Sequence, residues 1–129
     1  MNVVDSSGWL EYFADGPRAD FFAPSIEDVE NLVVPSITIF EVFKHVLQEK
    51  DENHALQAAA LMQQGEVVDL DASSGIYAAK LSYTLNLPLT DSVVLATARS
   101  YNAVLWTQDP DFKDIADVNY IAKKTCDST

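Results

Sequence analysis

Cysteine, glycine and positive charge are all scarce in this chain, and each scarcity excludes something. The one cysteine, Cys126, has no internal partner for a disulfide, so a reducing compartment is expected. The two histidines, His45 and His54, form no zinc-ligand spacing with it. Among the four glycines there is no P-loop, no G-x-G-x-x-G and no G-x-S-x-G elbow. Eight Lys and Arg stand against 20 Asp and Glu, for a net charge of -12. That balance excludes a general nucleic-acid coat, which needs a basic face. It does not exclude an enzyme acting on nucleic acid, because bound divalent cations reverse local charge, and it suits a basic protein partner. No apolar run approaches the ~18 residues of a membrane span. "MNVVDSSGWL" has neither the basic start nor the long apolar stretch of a signal peptide. A soluble, cytoplasmic protein with no membrane contact is expected.

What is present is core: 48% of the 129 residues are hydrophobic, enough for one domain spanning 1–129 without staples. Short apolar runs alternate with longer amphipathic ones. Strands are expected at 2–5, 31–35, 66–70 and 103–107, with a fifth at 118–122. Helices are expected at 6–15, at 18–30 with a break near Pro24, at 36–50 capped by Ser36, at 51–64, at 72–86, and at 91–101 capped by Thr90. In the 36–50 helix Ile37, Phe40, Phe43 and Leu47 are expected on the inner side. Phe21, Phe22 and Ile26 read as packing, or as an apolar groove for a partner. Alternation of this kind predicts the α/β class: a three-layer α/β/α sandwich around a parallel sheet of four or five strands, joined by right-handed crossovers. Function in such sheets collects beyond the carboxyl ends of the strands.

Four carboxylates fall at such ends. Asp5 closes the first strand and Asp109 follows the fourth. Asp91 shares a helical stripe with Val94, Leu95 and Ala98, and Glu41 lies on a helix face with Ile37 and Phe40. Each has an ordinary explanation. Asp5 can cap a helix, Asp91 can answer a helix dipole, Asp109 and Asp111 can be turn acids around Pro110, and Lys44 can pair with Glu41. All four explanations would have to hold at once. Clustered carboxylates repel and are costly to bury, and a hard divalent cation with oxygen ligands, Mg²⁺ or Mn²⁺, resolves both problems.

"VVDSSGWLEYF", "SITIFEVFKHV", "LPLTDSVVLATAR" and "VLWTQDPDF" resemble, in order and spacing, the PIN-domain ribonucleases, and among them the VapC-type toxins of toxin–antitoxin pairs. The resemblance covers most of the chain. It implies catalytic carboxylates at Asp5, Glu41, Asp91 and Asp109. Asp5, Asp91 and Asp109 would hold the metal and Glu41 would reach it through water, with Ser6, Thr107 and Asp111 beside them. It also implies an endoribonuclease acting on structured RNA such as tRNA or rRNA, inhibition by a small basic antitoxin laying a helix in an apolar groove, and a homodimer. One departure is His45, where the family often has Gly. Two alternatives stand beside this reading: a metal-dependent phosphohydrolase on another α/β fold, which would want an Asp where Ser7 is, and a non-catalytic PIN-like binding module.

Overall fold

The computed structural model describes residues 1–124; Cys126 lies outside them. Five short strands alternate with six helices: β1 (Asn2–Val4), α1 (Ser6–Phe13), α2 (Ala19–Glu27), β2 (Val33–Pro35), α3 (Ser36–Glu49), α4 (Glu52–Met62), β3 (Glu66–Val68), α5 (Ala72–Leu85), α6 (Leu89–Ser100), β4 (Val104–Thr107) and β5 (Val118–Tyr120). β1 pairs in parallel with β4, and β4 with β5; β2 pairs in parallel with β3. A parallel bridge from Asn2 to Leu32 joins the two sets. The order across the sheet is therefore β3-β2-β1-β4-β5.

The chain builds outward from β1 to β3, then returns to add β4 on the other side of β1. The crevice at the carboxyl ends of β1 and β4 is a topological switch point, where the chain leaves β1 into α1 on one face and leaves β4 toward Phe112 on the other, and a cleft opens between them. Alternating side chains separate the two cores. Val3, Val33 and Leu105 face α5 and α6, while Val4, Val34 and Leu32 face Trp9, Phe22, Val42 and Met62. Gly8 is required by close approach: a Cβ there would lie 2.6 Å from Val4 and 2.7 Å from Phe22. That contact lets α1 start directly at the end of β1.

Several expectations are corrected in detail. α2 runs through Pro24 without a break. Ser36 and Thr90 do not cap; Pro35 and Pro88 occupy the cap positions, and each helix begins immediately after its proline. On α3, Thr38 and Val42 are fully buried, Ile37 packs against the core as expected and Phe43 is half-buried, whereas Phe40 is 64% exposed and Leu47 is also exposed. Phe22 and Ile26 are core, so they form no groove. β3 is an edge strand with exposed Glu66 and Val67 rather than a buried apolar run. α6 exceeds its expected stripe, because every residue from Ser92 to Ala98 is buried. Among the described residues no helix is long and apolar enough to cross a membrane.

Candidate metal centre

Asp5 is the residue at which β1 becomes α1, and it is 4% exposed. Its carboxylate is held from both sides. Oδ1 accepts from Ser7 Oγ at 2.7 Å and from the main-chain N–H of Gly8 at 3.0 Å; Oδ2 accepts from Thr107 Oγ1 at 2.6 Å. Asp5 thus does cap α1, but the Thr107 bond crosses to the neighbouring strand and aims the second oxygen into the crevice. Burial pushes its carboxyl up to about 6, against the downward pull of Thr107, Ser7 and Gly8, and the charge of Asp109 adds to the rise.

Asp109 begins the turn after β4. Its main-chain N–H donates to Thr107 Oγ1 at 2.9 Å, and its Oδ1 accepts from the N–H of Asp111 at 2.9 Å. Thr107 therefore serves two carboxylates, donating to Asp5 and accepting from the backbone of Asp109. Asp91 enters from the first turn of α6, half-buried. Carboxylate oxygens of Asp91, Asp109 and Asp111 lie within 4.8 Å of one another. Burial first, then the charges of Asp109 and Asp5 and the hydrogen bond and charge of Asp111, push the Asp91 carboxyl up to about 8. Asp111, expected beside the ligands, is grouped with Asp91 and Asp109 at this distance; Asp5 stands next to them and repels Asp91.

Glu41, on α3, is hydrogen-bonded by Ser6 Oγ, the residue after Asp5. No ion pair with Lys44 forms among the described residues; the pair found there is His54 with Asp51 at 2.7 Å, on the surface of α4. Ser7, where an aspartyl phosphohydrolase would carry its second Asp, instead orients Asp5. One buried polar residue at this edge was not foreseen. Gln108, between Thr107 and Asp109, is buried, and a glutamine in a loop carries no sequence mark of that.

The donor set fits a hard divalent cation. It is all carboxylate oxygen, it is at a switch point, and burial together with the neighbouring negative charges pushes Asp5 and Asp91 toward protonation, a cost that a dication relieves. Away from it, α1, α3 and α4 enclose a groove of about 570 Å³ with an apolar floor of Leu10, Phe13, Val46, Ala58 and Leu61.

No curated protein matches the sequence. Solved structures do match in shape. A toxin–antitoxin complex from Klebsiella pneumoniae contains a chain of 21% identity and TM-score 0.74, with 92% of this chain and 95% of that one covered. VapC20 of Mycobacterium tuberculosis, a sarcin–ricin-loop-cleaving toxin, has 16% identity and TM-score 0.77, with 92% and 98% covered. VapBC2 from Rickettsia felis, bound to a DNA fragment from its promoter, has 18% identity and TM-score 0.72, with 94% and 97% covered. At these identities the likeness establishes the fold. The PIN domain family model matches residues 3–118, from β1 to the start of β5 and including every acidic residue described above, and the chain belongs to the PIN domain family.

Proposed function

We propose that this protein is a metal-dependent endoribonuclease, the toxin of a toxin–antitoxin pair, hydrolysing phosphodiester bonds in structured RNA. The observation that carries this reading is the meeting of Asp5, Asp91, Asp109 and Asp111 at the switch point, where burial first, and the neighbouring acidic charges after it, raise the carboxyls of Asp5 and Asp91. VapC20, which shares the fold, cleaves the sarcin–ricin loop, and this supports a structured RNA loop as the substrate class. Asp91, Asp109 and Asp111, with Asp5, would hold Mg²⁺ or Mn²⁺, and Glu41 would reach it through water. When bound, such a cation offsets charge developing on a phosphodiester and acidifies water. The protein's own contribution is placement. Thr107 orients Asp5 and the backbone of Asp109 together, Ser6 holds Glu41 toward the same edge, and burial and acidic neighbours raise the Asp91 carboxyl, so that a cation would bind there in exchange for a proton.

The groove on α1, α3 and α4 suits an apolar helix, and the charge of -12 favours a basic partner. A small basic antitoxin is therefore assigned to it, with an Arg or Lys reaching the carboxylates in the cation's place. For a second copy of the chain, exposed apolar side chains are offered by Ile76 and Tyr83 on α5 and by Leu89 on α6. The purified protein should cleave tRNA or an rRNA fragment in Mg²⁺ or Mn²⁺ and stop in EDTA; cleavage undiminished in EDTA would rule the mechanism out. Calorimetry should show Mn²⁺ binding to the free protein and weaker binding with antitoxin present; equal affinity in both would remove the inhibitor from the metal site but leave the nuclease.

A further inference from the structure

Gln108 has no part in the reading above. A glutamine just after a strand is ordinarily solvated, yet Gln108 is 5% exposed. Its side-chain amide turns toward α1, where Nε2 donates to the main-chain oxygen of Ser7 at 3.3 Å and to Glu11 Oε1 at 3.5 Å. Its main-chain N–H donates to Ser7 Oγ at 3.4 Å, the hydroxyl that in turn donates to Asp5. Glu11 is itself fixed, because its Oε2 accepts from the N–H of Arg18 at 2.7 Å. Gln108 Oε1 is buried with no hydrogen-bond partner among the described residues. A bare buried acceptor is a cost that an apolar side chain of similar length would avoid. Core stability therefore does not account for an amide here; its two N–H bonds to α1 do.

Asp5 opens α1, and Asp109 rides the loop after β4. The Thr107–Asp5 hydrogen bond joins these two pieces at the strand ends, close to the β1–β4 pairing itself. Gln108 adds a second attachment, further along α1. Two points of attachment fix an orientation where one fixes only a distance. We infer that Gln108 is a positioning residue, tying the β4 loop to Ser7 and Glu11 so that Asp109 is held in register with Asp5 for a divalent cation. The inference rests on the cation-site reading above.

The test is Mn²⁺ calorimetry on the metal-free protein, with melting temperatures recorded alongside. Gln108→Met keeps length, burial and the main-chain N–H but has no side-chain N–H to give. It should bind Mn²⁺ ~10–100-fold more weakly while melting near the wild-type temperature. Gln108→Glu sets a carboxylate against Glu11 and the Ser7 carbonyl and should be weaker still. Adding Glu11→Gln supplies the donor from the opposite side and should recover most of the affinity, a rescue that a residue acting only through folding would not give. Glu11→Ala removes one end of the tie from a half-exposed site, and reports on it even if Gln108→Met does not fold. Mn²⁺ affinity within about twofold of wild type in Gln108→Met, or in Glu11→Ala where Gln108→Met is unfolded, overturns the inference, as does a loss that simply follows the melting temperature. Asp91→Asn is the control. If it binds Mn²⁺ like wild type, the cation site itself is wrong; if it fails to bind while Gln108→Met binds normally, only the role of Gln108 is wrong.

Discussion

Asp5 and Asp91 are both withdrawn from solvent and both hold their protons more tightly than an ordinary Asp, yet they do so in opposite surroundings. Asp5 is met by donors: two hydroxyls and a main-chain N–H pull its carboxyl down while burial pushes it up to about 6. Asp91 is met by acceptors: burial, Asp109, Asp5 and Asp111 all push one way, to about 8. One half of the site is complete without a cation. The other half is made of like charges and is completed only by a positive one. The difference separates two tasks that a count of carboxylates would merge, because Asp5 supplies a fixed reference point and Asp91 supplies the demand for charge.

The largest effect expected is on catalysis, where both halves should be indispensable. Asp5→Asn and Asp91→Asn should each lower RNA cleavage in Mg²⁺ by on the order of 10²–10⁴-fold, the several kcal/mol that a correctly held cation contributes. Single-turnover cleavage with saturating Mg²⁺ is the measurement. Wild-type rates in both variants would dissolve the site altogether, and a loss confined to one would show which half carries the chemistry.

Stability should split the two residues in sign. Without metal at pH 8 to 9, Asp91→Asn removes a charge that only repels, and should stabilise by about 1 kcal/mol once solvent screening of a half-buried group is allowed for, or ~4 °C. Asp5→Asn keeps the shape but gives up an acceptor for Thr107, Ser7 or Gly8, and should cost about 1–3 kcal/mol for a buried donor left unpaired. Differential scanning calorimetry on the two variants checks this. Shifts of the same sign in both would mean that the halves are not electrostatically distinct.

The sheet-edge placement of Asp5 and Asp109 was legible because short apolar runs give strand ends directly, and the parallel rule then selects one edge. That rule brings them together only if β1 and β4 are neighbours, and the pairing of β1 with β4 meets that condition. The inner side of α3 was not legible. Phe40 and Leu47 are exposed, while α3 is buried completely only at Thr38 and Val42, with Ile37, Ile39 and Val46 packed partly buried against the cores, so size misled where close approach decided. Helix starts were shifted because Ser36 and Thr90 invite a capping reading, while Pro35 and Pro88 fix the turn by their own φ. The partner of Glu41 is not on its own helix, where Lys44 stands, because Ser6 comes from 35 positions away. Asp111 was ambiguous in a Pro turn. Only the bend of that turn, with the Asp111 N–H on Asp109 Oδ1, brings its carboxylate back to Asp91.

The pH dependence of the metal-free protein should sharpen the comparison further. Asp5 and Asp91 have folded-state carboxyls raised above the unfolded value of 3.8, so across the interval the folded protein binds more protons than the unfolded one. Stability must then fall as pH rises. The Asp5 contribution is lost between about 4 and 6, and that of Asp91 continues to fall toward about 8. Mn²⁺ should flatten the upper part of this fall, because it replaces the proton on Asp91, and its affinity should climb over the same range as the carboxyls deprotonate. Chemical denaturation at several pH values, with and without Mn²⁺, provides the curves. In Asp91→Asn the fall between about pH 6 and 8 should vanish while the lower part remains.

The smallest effect concerns how the substrate is held. A site built from carboxylates cannot attract RNA by itself, and the chain carries only eight Lys and Arg. Lys44 follows Glu41 by one helical turn, Lys80 is on α5, Arg99 is in the last turn of α6, and Lys113 follows the Asp111 turn. Each phosphate neutralised contributes ~0.7 to 0.9 to the dependence of log affinity on log salt, so the total slope should be shallow, about two to four. Measured with Asp91→Asn and short RNA in Ca²⁺ or without metal, each Lys→Ala change should lower the slope by roughly one unit or leave it untouched. A steep slope, near that of a protein with a basic binding face, would mean that RNA is held by a surface other than the two-part acidic edge. The contrast between Asp5 and Asp91 would then describe a metal site without describing the substrate.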